Sequence, residues 1–387
     1  MKFKKSTALA LLMATALFAQ SSSIQEALIN GKWGGDAYIY NRYTDCYNDD
    51  GYCNYVNPNN KASGYGQGSL NLYYSSDLFY GFNFSVGTRF NYQIWEKTKN
   101  DFHQNTDILL HTANIGYMSE YFDAAIGYQE IDLEWIGDYH QAAVAVVKPL
   151  SNLAITLAYT KEKGEAAGDD PLVKFDKFND NKGGFVADAK YTSDFGLNVN
   201  PFYYYAPDIA SWYGARASYD TMINDKTSIG GSAVYTVSNE DISVKDGAVS
   251  FAELRGGFDG LNMRLGYIKI DKNGIGSINT LGDSIDPFWN GDIVYKPDVN
   301  TVYLKGAYTF DAWSISALIG ESKGGGQPDV QEFNLIGGYK FNNVFNGVDD
   351  SLRINLVFVN SNADNETPYI RDHSKYACYF VYSFKGK

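Results

Sequence analysis

The sequence predicts an all-β protein, a transmembrane antiparallel β-barrel of about eighteen strands with long extracellular loops and short periplasmic turns. Three observations predict this fold. Apolar and polar side chains alternate along one segment after another, and the connections between these segments alternate between long and short. After the N-terminal segment, the longest apolar run covers only residues 142–147, whereas a membrane helix needs about 18 residues.

The N-terminal segment has the composition of a secretory signal peptide. Three lysines lie within the first five residues, an apolar run follows over residues 6–18, and small side chains come next. We therefore predict a signal peptide over residues 1–21 and a single mature barrel domain over residues 22–387. Export takes the chain out of the cytoplasm, into a compartment where disulfides persist.

Composition excludes several classes of protein. The 387 residues carry a formal net charge of −13, and removal of the three N-terminal lysines makes the mature chain more acidic still. Nucleic-acid binding is therefore a poor interpretation, because a basic surface supplies most of that affinity. Three cysteines cannot form a disulfide framework. The aromatic content of 16% favours strands over irregular structure.

The alternation is clearest over residues 81–95. Phe82, Phe84 and Val86 share one parity, whereas Asn83 and Ser85 share the other, which is the period of a β-strand. The same pattern predicts eighteen strands, near 32–43, 65–74, 80–95, 106–118, 121–132, 139–147, 152–162, 183–192, 196–206, 211–219, 226–238, 247–256, 260–271, 299–310, 311–322, 331–342, 350–361 and 374–384. Sixteen strands also fit, because boundaries inferred from sequence shift by about two to four residues.

The connections predict how the barrel is oriented. The long ones are rich in Asp, Asn, Gly and Lys and lie at 44–64, 96–105, 163–182, 272–298 and 362–373. If the N-terminus is periplasmic, each of them falls on the extracellular side, as in outer-membrane barrels. A soluble sandwich has no reason to obey this rule. The connection at 207–210 is short for an outer loop.

Two stretches resemble a known family. Residues 23–42 read SIQEALINGKWGGDAYIYNR and resemble the N-terminus of the OprD-like porins and major outer-membrane proteins of epsilon-class proteobacteria. A second resemblance covers residues 115–148, with a tight turn at 119–121, the strand end Gly127-Tyr128-Gln129 and a loop that carries a tryptophan. The resemblance implies an eighteen-stranded pore for small hydrophilic solutes, often a homotrimer.

Strand parity predicts which charged side chains line the lumen. The predicted basic residues are Arg42, Arg89, Lys190, Arg216, Arg255, Arg264, Lys305, Lys340 and Arg353. The predicted acidic residues are Asp36, Asp123, Asp188 and Glu253. Six of the seven arginines lie in this set, and arginine binds carboxylates bidentately, so a preference for small anionic solutes is one hypothesis. The plainer interpretation is that these residues are polar because water fills the lumen.

Three loops are candidates to fold inward and narrow the pore, at 133–138, 163–182 and 272–298. Asp138, Asp283 and Asp286 in these loops are predicted constriction residues, although acidic loop residues are also typical of a solvated surface.

The cysteines and histidines indicate no catalysis. Cys46 and Cys53 are closely spaced in the first outer loop, and we predict a disulfide between them. Calcium is conceivable in that acidic loop, but its spacing does not match an EF-hand, so we predict no cofactor and no metal. Cys378 shares the apolar parity of its strand. The four histidines form no recognisable catalytic pattern.

The sequence therefore predicts a non-enzymatic outer-membrane porin for passive diffusion of small hydrophilic solutes and ions. Its implied partners are outer-membrane lipid, lipopolysaccharide and those solutes. Two alternatives stay open at this point. One is a structural or adhesive barrel with an occluded lumen and partner-binding loops, and the other is a soluble, secreted, β-rich binding protein.

Overall fold

The computed structural model describes residues 20–46, 62–345, 349–365, 367, 370 and 372–386. It contains a short helix, α1, over Ile24–Ile29. The strands are β1 (Lys32–Cys46), β2 (Ala62–Ser75), β3 (Phe82–Glu96), β4 (Ile108–Met118), β5 (Phe122–Glu130), β6 (Tyr139–Leu150), β7 (Leu153–Glu165), β8 (Val173–Lys177), β9 (Gly184–Thr192), β10 (Leu197–Ala206), β11 (Ala210–Asn224), β12 (Thr227–Glu240), β13 (Gly247–Phe258), β14 (Leu261–Ile270), β15 (Val299–Phe310), β16 (Trp313–Gly324), β17 (Val330–Asn342), β18 (Asp349–Ala363) and β19 (His373–Gly386).

The sheet closes on itself. The first strand pairs antiparallel with β2 on one side and with β19 on the other, so the register runs from Trp33 opposite Gly386 to Cys46 opposite His373. Strands adjacent in sequence are neighbours around the wall, except that β7 pairs with β9 as well as with β8. Eighteen strands therefore form the barrel, as predicted. The short β8 was missed by the sequence analysis because it lies inside the outer loop predicted at 163–182.

The alternation of side chains separates the two faces of the wall. On β1, Ile39 is 51% exposed, whereas the next residue, Tyr40, is 2% exposed. On β3, Phe82 and Phe84 are exposed and Arg89 is buried. The exposed face is apolar because it meets hydrocarbon, and the opposite face carries the polar residues of the lumen.

The connections alternate in length as the sequence predicts. Tight turns at 119–121, 151–152 and 259–260 lie at one end of the barrel, while the connections at 131–138 and 271–298 lie at the other. The connection between β10 and β11 is only residues 207–209, so the outer rim is low at this point. Among the described residues, no helix has the length and apolarity needed to cross a membrane.

Helix α1 lies at the periplasmic end of the barrel, next to the turn between β2 and β3. The Ser23 side chain accepts a hydrogen bond from the backbone N–H of Glu26 at 3.1 Å, and the Glu26 carboxylate accepts one from the backbone N–H of Ser22 at 2.7 Å. The Ser22 hydroxyl donates to the same carboxylate at 2.6 Å, and this bond, together with the one from the Ser22 N–H, lowers the pKa of Glu26. The Asp77 N–H donates to the Ala27 carbonyl at 2.9 Å, which ties the helix to the barrel.

Some predictions concern residues that lie outside the described part of the chain. The predicted signal peptide falls there except for its last two residues. Cys53 and the acidic loop considered for calcium also lie there, so the predicted disulfide with Cys46 stays a prediction. Among the described residues, no group of three or more His, Cys, Asp or Glu side chains is arranged to hold a metal ion.

Gly214 lies where neighbouring strands of the wall are in close contact, so a substitution there tests the packing of the wall. A Cβ atom at Gly214 would lie 2.0 Å from the Tyr235 carbonyl oxygen and 3.0 Å from the Phe202 ring. We expect Gly214→Ala to destabilise the barrel by about 1–3 kcal/mol through overpacking. The measurement is the temperature at which folded protein loses its fast migration in detergent gels. Gly337→Ala is the matched control, since nothing lies within 4 Å of its Cβ position, and an equal effect of both changes would contradict the packing argument.

Candidate pore constriction

Three outer connections enter the lumen and narrow it. We call residues 131–138 loop A, residues 166–172 loop B and residues 271–298 loop C. Apolar side chains of loops A and C belong to one large buried cluster, in which Trp135, Leu281 and Phe288 pack with Trp212 and Phe251 of the wall. In loop B, Ala166 and Leu172 pack with Leu109 in a separate cluster. The core of this protein therefore lies inside the barrel, where the loops meet the wall.

Loop A reaches from β5 and β6 through the lumen to β11 and β12. The indole Nε1 of Trp135 donates to Thr236 Oγ1 on β12 at 2.9 Å, and Trp135 is 1% exposed. The Glu134 carboxylate accepts two hydrogen bonds from the Arg216 guanidinium on β11, at 2.6 and 2.5 Å. At the base of the loop, the fully buried His140 bonds the Gly137 carbonyl at 2.8 Å. Loop A is thus fixed at both ends of its span.

Loop B covers the wall formed by β1, β2 and β3. The side-chain amide of Gln67 donates to the carbonyl oxygens of Gly168 and Asp170, at 2.8 and 3.2 Å. The Asn91 amide also donates to the Asp170 carbonyl, at 3.0 Å. Leu172 is fully buried. Amide side chains of the wall therefore satisfy the backbone of loop B, as a buried loop requires.

Loop C connects β14 and β15 and crosses the lumen, where it contacts β11 and β12 at one end and β17 at the other. At one end, Trp212 Nε1 donates to Ser277 Oγ at 3.1 Å. At the other end, the buried Glu332 carboxylate accepts the backbone N–H groups of Trp289, Asn290 and Gly291, at 2.9, 3.1 and 3.1 Å. One carboxylate thus satisfies three consecutive backbone donors and holds the loop to the wall.

All nine predicted basic residues lie on the inner parity of their strands, but several are committed to partners. Arg89 is 1% exposed and forms an ion pair with Asp36 at 2.9 Å. Arg216 holds loop A. Arg42 lies over the Tyr65 ring, 4.7 Å from its centroid, and Lys190 shares the inner face of β9 with Asp188.

The clearest concentration of positive charge is a row on three adjacent strands. Arg255 on β13 is the direct cross-strand partner of Arg264 on β14, which is the partner of Lys305 on β15. We call these three residues the basic row. It lies toward the periplasmic end, because β13 and β14 are joined by the turn at 259–260. Lys340 and Arg353 form a second pair of opposed cations, on β17 and β18.

Like charges directly opposite each other destabilise a sheet, so the basic row needs negative partners. Arg255 meets Asp220 at 2.7 Å and Glu253 at 3.2 Å, and Arg264 lies 3.7 Å from Glu253. Glu253 also accepts a hydrogen bond from Tyr303 at 2.6 Å. Asp220 and Glu253 thus lie against Arg255 and Arg264, and Lys305 continues the row of cations on β15.

The predicted acidic residues have separate surroundings. Asp123 pairs with Lys148 at 2.5 Å near the periplasmic end, and Asp138 pairs with Lys163 at 3.3 Å. Asp188 accepts hydrogen bonds from Tyr204 and Asn200, at 2.9 and 2.7 Å.

Asp283 and Asp286 both lie in loop C, where Asp283 is exposed. Burial raises the pKa of Asp286 to about 7, and the negative charges of Asp283 and Glu332 act in the same direction.

Sequence reasoning missed several residues of the constriction. Glu134 and Glu332 hold the loops, and neither was predicted. Glu134 lies in a loop, where no period assigns a direction to a side chain, whereas Glu332 lies on the inner parity of β17 and could have been found. Lys148 and Lys375 are also on inner parities, and Lys375 donates to Asn290 of loop C.

A closed transmembrane β-barrel with a polar, loop-narrowed lumen defines the class of protein as an outer-membrane channel. Residues 7–344 match the family described as Gram-negative porin. The chain belongs to this family, and its location is the outer membrane. No curated protein sequence matches the chain significantly.

Solved porin structures share the fold. The structure of Pseudomonas aeruginosa OpdK with vanillate has a TM-score of 0.73 at 14% identity, covering 93% of this chain and 100% of that chain. Pseudomonas aeruginosa OccK9 has a TM-score of 0.73 at 10% identity, with coverage of 93% and 100%. Acinetobacter baumannii OccAB4 has a TM-score of 0.72 at 11% identity, with coverage of 92% and 98%.

The raised pKa of Asp286 predicts a pH dependence. Its carboxyl is neutral below about pH 7 and charged above it, so the constriction gains one negative charge as pH rises through 7. We expect the anion-to-cation permeability ratio to fall between pH 6 and 8. The unfolded chain releases this proton near the ordinary pKa of 3.8, so the contribution of Asp286 to stability declines between about pH 4 and 7 and is level above that.

Reversal potentials at a series of pH values measure the change in ion preference. The control is Asp286→Asn. Asparagine does not titrate, so this variant should lack the change in ion preference near pH 7. A step of equal size in this variant would assign the titration to another group.

Proposed function

We propose that this porin passes small hydrophilic solutes by passive diffusion and prefers anions, carboxylates among them. The observation that carries the preference is the basic row, three cations on adjacent strands that face the lumen below the constriction. Arginine presents two parallel donors to a carboxylate, so Arg264, which is about half exposed, suits this role. The binding of vanillate by the similar OpdK is consistent with a carboxylate solute.

Electrostatics favours anions even though the chain is acidic. The lumen carboxylates Asp36, Asp123 and Asp188 are engaged by neighbouring side chains, so their field on a passing solute is reduced. The basic row places three cations side by side on the lumen wall. A charge about 7 Å from an ion in water contributes about 0.6 kcal/mol, close to a factor of three in local concentration.

The test is planar-bilayer recording of refolded protein under a salt gradient. We expect stepwise conductance and a reversal potential of the sign given by anion preference. The double variant Arg264→Gln, Lys305→Gln should reduce the anion-to-cation permeability ratio by about threefold or more for the two charges removed.

Lys226→Gln is the matched control for charge. Lys226 pairs with Asp259 at 3.2 Å in exposed periplasmic turns, outside the lumen, so its removal should leave the reversal potential unchanged. If the double variant keeps the wild-type reversal potential, the basic row does not set the preference. The absence of any conductance from folded protein would favour the occluded, adhesive barrel.

We further propose that transport involves no covalent step and that the barrel forms a homotrimer, as the resemblance to the epsilon-class outer-membrane proteins implies. A concave apolar surface supports assembly. Alanines of β5, β6 and β7 form its floor, and Tyr117 and Phe185 lie at its margins. Light scattering of the protein in detergent should give the mass of three chains, and the mass of one chain would contradict the proposal.

A further inference from the structure

Arg216, Glu134 and Ser284 meet inside the barrel although they come from three different elements. Arg216 belongs to the wall strand β11, Glu134 to loop A and Ser284 to loop C. Glu134 is 7% exposed, and its carboxylate accepts from Arg216 Nε at 2.6 Å and from Arg216 Nη2 at 2.5 Å. This is a bidentate pair, the strongest arrangement of these two groups.

Ser284 completes the contact. Its hydroxyl donates to Glu134 Oε1 at 2.6 Å and accepts from Arg216 Nη2 at 3.1 Å. The hydroxyl therefore connects loop C to both members of the ion pair. We call Glu134, Arg216 and Ser284 the clasp.

The two loops are also in direct backbone contact beside the clasp. The Gly137 N–H of loop A donates to the Leu281 carbonyl of loop C at 3.1 Å. Gly282 follows with a φ of +148°, and a Cβ there would lie 2.8 Å from the Gly137 nitrogen. The approach is close because this position is glycine. Loops A and C thus form one body, and the clasp fastens that body to the wall.

The clasp changes the expected role of Arg216. Its Nε and Nη2 atoms are taken by Glu134, and Nη1 lies 3.5 Å from Ser232 Oγ. The edge of the guanidinium that would bind a solute carboxylate is therefore occupied by a carboxylate of the protein itself. Arg216 and Glu134 cancel each other's charge and hold a loop.

We propose that the clasp sets the size limit and the steadiness of the pore, and that Glu134, Arg216 and Ser284 are positioning residues without solute contact. Releasing it frees loop A and the Ser284 segment of loop C from Arg216, while Trp135, the Trp212–Ser277 hydrogen bond and Glu332 still hold the loops elsewhere. The loops then move on the timescale of channel openings, which widens the pore on average and adds noise to the open-channel current. This inference rests on conduction through the lumen and is independent of the proposed anion preference.

The main test is the double variant Glu134→Gln, Arg216→Gln, which removes the ion pair at no change in net charge. We expect higher single-channel conductance, greater open-channel noise and passage of larger neutral polymers, with an unchanged reversal potential. A merely structural role would lower stability without moving the polymer size limit. Wild-type conductance, noise and size limit in the folded variant would overturn the proposal.

Two further variants separate the clasp from general damage to the fold. Ser284→Ala removes the third partner without touching any charge, and we expect a smaller change in the same three readouts. Lys226→Gln, Asp259→Asn is the matched neutral control, since this pair links two exposed turns far from the loops, and it should behave as wild type. Heat-modifiable gel migration shows that each variant is folded. If the control changes as much as the clasp variant, the effect is not specific to loops A and C.

The same recordings distinguish the two proposals. If the clasp variants show the expected rise in conductance, noise and size limit but the wild-type channel prefers cations, only the proposed anion preference is refuted. If the wild-type channel prefers anions but the clasp variants conduct like wild type, only the proposed role of the clasp is refuted.

Discussion

Closure of the sheet is the constraint on which the rest of the structure depends. Hydrocarbon offers no partner for a backbone N–H or C=O group, so an open strand edge in the membrane would leave a row of polar groups unsatisfied. The pairing of β1 with β19 removes both edges at once. It also fixes the parity of every strand, since one face must meet lipid and the other must meet the lumen. The polar inner wall is thus a consequence of closure as much as of transport.

An eighteen-stranded barrel is too wide for its own side chains to fill, so the interior is shaped by loops. Buried loops need partners for their backbone groups, and this protein supplies them from the wall with Gln67, Asn91 and Glu332. The same need explains why many lumen carboxylates are engaged by neighbouring groups. Acidic residues serve to hold the constriction in place, which leaves the positive charge of the basic row less opposed than the composition suggests.

The sequence was sufficient to predict the strands of the wall but insufficient to predict the contacts that form the constriction. Alternation along β3, with Phe82 and Phe84 against Arg89, assigns each side chain to lipid or lumen, so all eighteen wall strands were predicted near their observed positions. The short β8 was missed because it extends an outer loop and has no role in closure. Contacts inside the lumen depend on which loop meets which strand. Glu134 and Arg216 are 82 residues apart, and no local pattern connects them. The parity of β11 could place Arg216 in the lumen but could not show that Glu134 of loop A already pairs with it.

The loops that narrow the pore are also part of the protein's outer surface, and this has a consequence for how the surface can change. Surface loops tolerate substitution better than the elements that they connect, so variation at the outer surface of a barrel is concentrated in its loops. In this barrel, loops A, B and C are fastened to the inner wall, so most substitutions in them would alter the channel. The connections at 241–246 and 325–329 make no contact with the inner wall among the contacts described above. Sequence variation at the outer surface is thus expected to be concentrated in these two connections, while the inward loops are constrained by the solutes that pass through the pore.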